Sequence, residues 1–210
     1  MLSSKQIKML HLLDKQVETC KKCSLSMNGT AIPFWTSNAK YVIIAEAPGW
    51  NEVRRQTPFV GAAGEILTKE LSNAGLESKD FLIINTVQCR PVSGTRNGKP
   101  NEDQIITCQD YLRKYIKVVN PEKILCLGNY AKYIFTGNFY GILGQRGEFN
   151  SFKLKGSNIE YPVLFTIHPA YCIYNSGEGI PILRNDIVLF RDTKFERKSD
   201  WLFSEDDFRI

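Results

Sequence analysis

Four cysteines and three short polar motifs hold the residue types most suited to chemistry in this chain. Cys20 and Cys23 stand three apart, and Cys89 and Cys108 follow downstream with 18 residues between them. Four thiolates can hold a [4Fe–4S] cluster or a tetrahedral zinc. Zinc sites more often use two close pairs; the wide second spacing suits a cluster that pins a long loop against the N-terminal helix. The motifs are Glu46-Ala47-Pro48-Gly49, Asn85 just before Cys89, and His168-Pro169-Ala170. They offer a carboxylate, a carboxamide and an imidazole, the groups of proton transfer, hydrogen-bond readout and charge stabilisation. Together the set predicts a small metal-clipped enzyme.

Each motif follows an apolar run. The segments Tyr41–Ala45, Phe81–Asn85, 123–127 and 163–167 are short and almost continuously apolar, as strands buried on both faces are. Helical patterns separate them. Ser3 and Gln6 form a capping-box pair ahead of Ile7, Leu10, Leu13 and Val17. Ala63, Ile66, Leu67, Leu71 and Ala74 make one helix face that Gly75 can end. Asn101 and Gln104 open another helix, which Pro121 stops, and a last helix is expected from about Pro181 to Arg191. This alternation predicts one three-layer α/β/α domain over 1–210 with a central four-stranded parallel sheet. Glu46, Asn85 and His168 then fall at carboxyl ends of strands, the edge where open parallel sheets bind ligands. The segments 90–99 and 137–158 read as irregular, the second able to hold a hairpin.

Composition narrows the class. A chain of 210 residues can bury a full core. It has no apolar stretch of membrane-spanning length and no secretory signal at its start, so a cytoplasmic setting is expected. Six cysteines in a reducing compartment point to metal ligation before disulfides. Cys126, inside a strand, and Cys172 read as plain buried thiols. The net charge of +5 permits a polyanionic partner without demanding one. The tail from 195 to 210 carries Trp201, Phe203 and Phe208; it reads as an extra packed segment or, failing that, a peptide that docks a protein partner.

The motifs carry a family resemblance. Ala45-Glu46-Ala47-Pro48-Gly49 followed by Pro58-Phe59-Val60-Gly61-Ala62-Ala63-Gly64 resembles the first motif of the family 4, iron–sulfur uracil-DNA glycosylases. Asn85-Thr86-Val87-Gln88-Cys89-Arg90-Pro91 is similar to the second, and His168-Pro169-Ala170 to the third. The cysteines match the cluster ligands in order. The likeness runs from about Cys20 to Arg191.

The resemblance implies a monofunctional enzyme that flips uracil from DNA and hydrolyses its N-glycosidic bond, with a [4Fe–4S] cluster on Cys20, Cys23, Cys89 and Cys108. Phe59 then stacks on the extruded base, and Asn85 accepts from uracil N3–H while donating to O4. His168 stabilises charge on the departing uracil. Glu46 stabilises the positive sugar and positions water, helped by the backbone around Pro48 and Gly49; Ala47 stands where family 1 relatives carry an aspartate. Glu52 approaches uracil C5, or is an ordinary exposed acid. Arg90, Arg96 and Lys99 contact phosphates or simply face water. The segment holding Tyr171 and Ile173 enters the minor groove where many relatives carry a Leu-Leu-Arg type sequence. The expected partner is uracil-containing DNA, met by a monomer away from membranes. The readings left open are a cluster- or zinc-bearing nucleic-acid module without catalysis, and a glycosylase for another damaged base.

Overall fold

The computed structural model describes residues 1–154 and 159–196. In chain order the elements are α1 (Ser4–Glu18), β1 (Tyr41–Ala45), α2 (Trp50–Arg55), α3 (Ala62–Asn73), β2 (Phe81–Asn85), β3 (Val92–Ser93), β4 (Arg96–Asn97) and α4 (Glu102–Val119). They continue with β5 (Ile124–Leu127), α5 (Gly128–Thr136), α6 (Ile142–Gln145), β6 (Phe149–Lys153), β7 (Glu160–Thr166), α7 (Tyr171–Tyr174) and α8 (Ser176–Asp192).

Alternation along each strand builds the three layers. Side chains one residue apart point to opposite faces. Val42, Ile44, Leu82, Ile84, Ile124 and Cys126 accordingly pack with Leu10 and Leu13 of α1 and with Leu112, Ile116 and Val119 of α4. Their neighbours Ile43, Ala45, Phe81, Ile83, Leu125 and Leu127 pack the other way, against Leu67 and Leu71 of α3 and Leu183, Ile187 and Phe190 of α8. A sheet covered on both faces has little use for polar residues, and that is why these strands read as unbroken apolar runs.

The sheet order is β2-β1-β5-β7-β6. All four expected strands are present and parallel. A fifth, β6, joins antiparallel to β7 as one arm of a hairpin, so the sheet is mixed and five-stranded. Its alternating Phe149-Asn150-Ser151-Phe152-Lys153 is half-exposed, the mark of an edge strand, and lacks the apolar run that reveals a central one. Both expected capping boxes form, Ser3 with Gln6 and Asn101 with Gln104. The last helix starts at Ser176, earlier than Pro181 suggested, and Pro181 lies inside it. As the sixth residue of the helix, Pro181 forgoes the bond its N–H would have given to the Gly177 carbonyl.

Strand order reverses at β1. The chain leaves β1 over the α3 face to reach β2, and leaves β5 over the α5 face to reach β7. The carboxyl ends of β1 and β5 therefore part and open a crevice at the switch point. No helix among the described residues is long and apolar enough to cross a membrane. Most of the sequence-flagged tail, with Trp201, Phe203 and Phe208, lies outside the described residues.

Candidate active site

An open cavity of about 650 Å³ occupies this crevice. Glu46, directly after β1, lines it with Lys99, Gly128, Asn129, Tyr130, His168 and Tyr171. Glu46 and His168 come from strands that are not neighbours; β5 runs between them. The gap is closed by Gly128, which starts α5 at φ +84°, where a Cβ would stand 3.0 Å from that of His168. The absence of a side chain there lets the imidazole approach the middle of the edge.

His168 is neutral and oriented. Its Nδ1 accepts a hydrogen bond from the Ala170 N–H at 3.1 Å, so the ring proton resides on Nε2. Burial pushes its pKa down to about 4. Glu46 is held above the usual carboxylate range by burial, partly offset by the Lys99 ammonium. Its own carbonyl accepts from Thr86 Oγ1 at 2.5 Å, which ties the end of β1 to the end of β2.

Asn85 ends β2 in register with Ala45, so it stands at the strand tip beside Glu46. It is buried, and its backbone carbonyl accepts from Gln88 Nε2 at 2.5 Å. Among the described residues no group hydrogen-bonds its carboxamide. Phe59 reaches the site from the segment before α3, its ring stacked on His168 with centroids 6.1 Å apart and planes at 26°. Its φ of +56° is rare for a bulky residue and costs on the order of 1–3 kcal/mol. Gly64 accommodates the kink, since a Cβ there would fall 1.9 Å from the Phe59 carbonyl oxygen.

The remaining sequence-flagged residues divide. Glu52, on α2, lays its carboxylate across Gly49 and Gly61, near the Asn97 amide. Ala47 packs beside Val87 and Cys89 under the same loop. Residues 92–97 form a small hairpin of β3 and β4 that carries the exposed Arg96. Arg90 Nε donates to Asn97 Oδ1 at 2.6 Å. Tyr171 is half-buried in the cavity wall, Cys172 is buried, and Ile173 and Tyr174 are exposed. Of the side chains in this turn Tyr174, at 85% exposed, projects furthest into water, beyond the Ile173 expected there, and short-helix phase carries no signal strong enough to assign it. The aromatic wall joins Tyr130 of α5 to Phe139 and Tyr140 of the turn after it, a meeting for which the sequence carries no local pattern.

Cys20, Cys23, Cys89 and Cys108 line one small pocket whose other walls include Val17, Leu25, Val87 and Tyr111. Burial raises the Cys89 and Cys108 thiols, Cys108 to about 12, and the neighbouring cysteines add to both shifts. Thr30 Oγ1 sits 3.2 Å from Cys89 Sγ. Among the described residues no three Cys, His, Asp or Glu side chains form a group that could hold a metal ion, so the thiols surround the pocket without converging on one point. Cys126 and Cys172 belong to the two main cores and do not line this pocket.

A family model for the uracil DNA glycosylase superfamily matches residues 32–191. A type-4 uracil-DNA glycosylase of Sulfurisphaera tokodaii is 38% identical over 190 residues, covering 87% of this chain and 84% of the relative. One of Saccharolobus solfataricus is 36% identical over 173 residues, covering 79% and 78%. A third, of Thermotoga maritima, is 30% identical over 186 residues, covering 85% and 91%.

Proposed function

The chain belongs to the type-4 branch of the uracil-DNA glycosylase superfamily, and on that premise we propose that it releases uracil from DNA by hydrolysing the N-glycosidic bond. The observation that supports this most is the sharing of one cavity by Glu46 and His168 across an intervening strand. Cleavage leaves negative charge on uracil and positive charge on the sugar, so a catalyst needs one group for each.

His168 serves the leaving base. A neutral ring with Nδ1 already occupied has one proton to offer, on Nε2, and that donor stabilises uracil O2 as charge develops. No protonation event precedes it. Glu46 serves the sugar: ionised, it faces the oxocarbenium-like carbon and orients the attacking water. Phe59 stacks on the base. The unsatisfied Asn85 carboxamide pairs with N3–H and O4 of uracil; cytosine reverses that pattern and leaves buried polar groups mismatched. Glu52, folded over Gly49 and Gly61, excludes a C5 methyl in this reading. Arg90, Arg96 and Lys99 contact phosphates, and Ile173 with Tyr174 fills the space the flipped nucleotide vacates.

The four-cysteine pocket fits a [4Fe–4S] cluster. Burial, with the neighbouring cysteines adding to it, disfavours the thiolates of Cys89 and Cys108, and iron would supply the positive charge that stabilises four thiolates together. Cys20, Cys23, Cys89 and Cys108 would hold such a cluster, whose several irons would not require the four sulfurs to close on one ion as zinc does at about 2.3 Å. When bound, the group acts as a staple, joining the end of α1 to the loop before α4 that carries the phosphate-contacting residues.

The direct test is incubation with an oligonucleotide holding one uracil, followed by alkali. Cleavage at that position with free uracil in solution is expected; intact DNA would refute the proposal. A non-catalytic binding module has no need of the acid, amide and imidazole together.

A further inference from the structure

One wall of the cavity has no part in the chemistry above. Tyr140 and Leu143, from the turn after α5 and from α6, line it, yet they are 78% and 55% exposed. Leaving apolar surface in water forgoes the free energy of burying it. Grouped exposure beside a cavity marks a contact surface.

The turn is built to keep Tyr140 outward. Gly137 at φ +65° and Gly141 at φ +86° bracket it in the left-handed region. Asn138 Oδ1 accepts from the Tyr140 N–H at 2.9 Å, and Asn129 Oδ1 accepts from the Ile142 N–H at 3.1 Å. Phe139 turns inward and stacks on Tyr133, centroids 4.0 Å apart and planes at 3°. With its half-buried neighbour stacked on Tyr133 and the backbone pinned on both sides, the Tyr140 ring is held in water.

Charge on the same cavity says what the ring meets. Lys99 lines it too, its ammonium 5.6 Å from the Tyr130 ring centre. Aromatic rings and a cation lining one groove are the pattern that holds single-stranded nucleic acid, bases stacking while phosphates take the charge. In a duplex the bases beside the lesion already stack on their neighbours and gain little from a protein ring. We propose that Tyr140, backed by Leu143, is a second base-stacking subsite that takes the nucleobase adjacent to the flipped uracil when the DNA is single-stranded. The proposal rests on the uracil reading and deepens it by naming the substrate form the rim favours.

The test measures KM for wild type, Tyr140→Ala and Tyr140→Phe on single-stranded and duplex uracil oligonucleotides. A second single-stranded set carries a base-free residue on one or both sides of the uracil. Tyr140→Ala should raise KM on the intact single strand about 5- to 100-fold, the range expected of one stacked base, and raise the single-strand to duplex KM ratio. Tyr140→Phe should restore most of the loss. Removing the adjacent base should cost wild type a similar factor and abolish the difference between wild type and Tyr140→Ala. Equal KM for the two proteins on the intact single strand would overturn the subsite. So would an alanine effect that persists with both flanking bases gone, or one of equal size on duplex. Failure of wild type to release uracil from any substrate would instead defeat the parent reading.

Discussion

The backbone N–H of Ala170 donates to Nδ1 of His168 at 3.1 Å. One main-chain contact, two residues away in a Pro-containing turn, therefore decides which imidazole nitrogen carries the proton. Burial does the rest by keeping the ring uncharged down to about pH 4. The result is a donor of fixed direction that needs no titration across the physiological range, set at a strand end by residues the sequence prints side by side.

Glu46 sets the acid limb of activity. Burial raises its pKa, and Lys99 partly offsets the shift. The working form is ionised, so kcat should fall as pH drops through a value above the ordinary carboxylate range, while His168 adds nothing until about pH 4. Lys99→Met removes the offset and should move the limb to higher pH in a kcat profile. An unmoved limb would separate Glu46 from this role.

Asn85→Ala should lower kcat/KM on uracil by about 10- to 100-fold, the range for losing hydrogen bonds to a buried partner. Its melting temperature should hold, because no described group depends on the carboxamide for a hydrogen bond. A fall in thermal stability with unchanged activity would make Asn85 a structural residue.

Cys89→Ser and Cys108→Ser should each lose iron and acid-labile sulfide together with the broad visible absorbance of the cluster. Salt-dependent DNA binding should weaken with them, since the staple orders the loop bearing Arg96 and Lys99. Stoichiometric zinc and a colourless protein would replace the cluster with a different metal in the same pocket.

Asp186, buried on α8, takes Arg146 through two hydrogen bonds and Thr166 Oγ1 through a third at 2.5 Å. Thr166 ends β7, two residues before His168. Asp186→Ala leaves a guanidinium and a hydroxyl without their partner and should cost about 3 kcal/mol in urea unfolding. A change within about 0.5 kcal/mol would mean that solvent replaces the carboxylate freely.

The central sheet was legible because both of its faces are covered, which forces Tyr41–Ala45 and Phe81–Asn85 into unbroken apolar runs. The same logic hid β6, whose outer position tolerates Asn150, Ser151 and Lys153. Capping boxes at Ser3 and Asn101 were readable because they are local chemistry. Glu46 and His168 were legible as strand-end residues, but their approach depends on Gly128, whose value lies in a missing Cβ and a left-handed φ. The Tyr140 rim was not legible at all, for its meaning rests on Phe139 turning in and its neighbour turning out.

The most direct measurement is the single-turnover rate of uracil release for wild type, Glu46→Gln and His168→Ala under saturating enzyme, with folding checked by circular dichroism. Each substitution removes a group that meets charge present only in the transition state, so each rate should fall by about 100- to 1,000-fold while DNA binding persists. A folded variant of either kind that releases uracil at the wild-type rate would contradict the account.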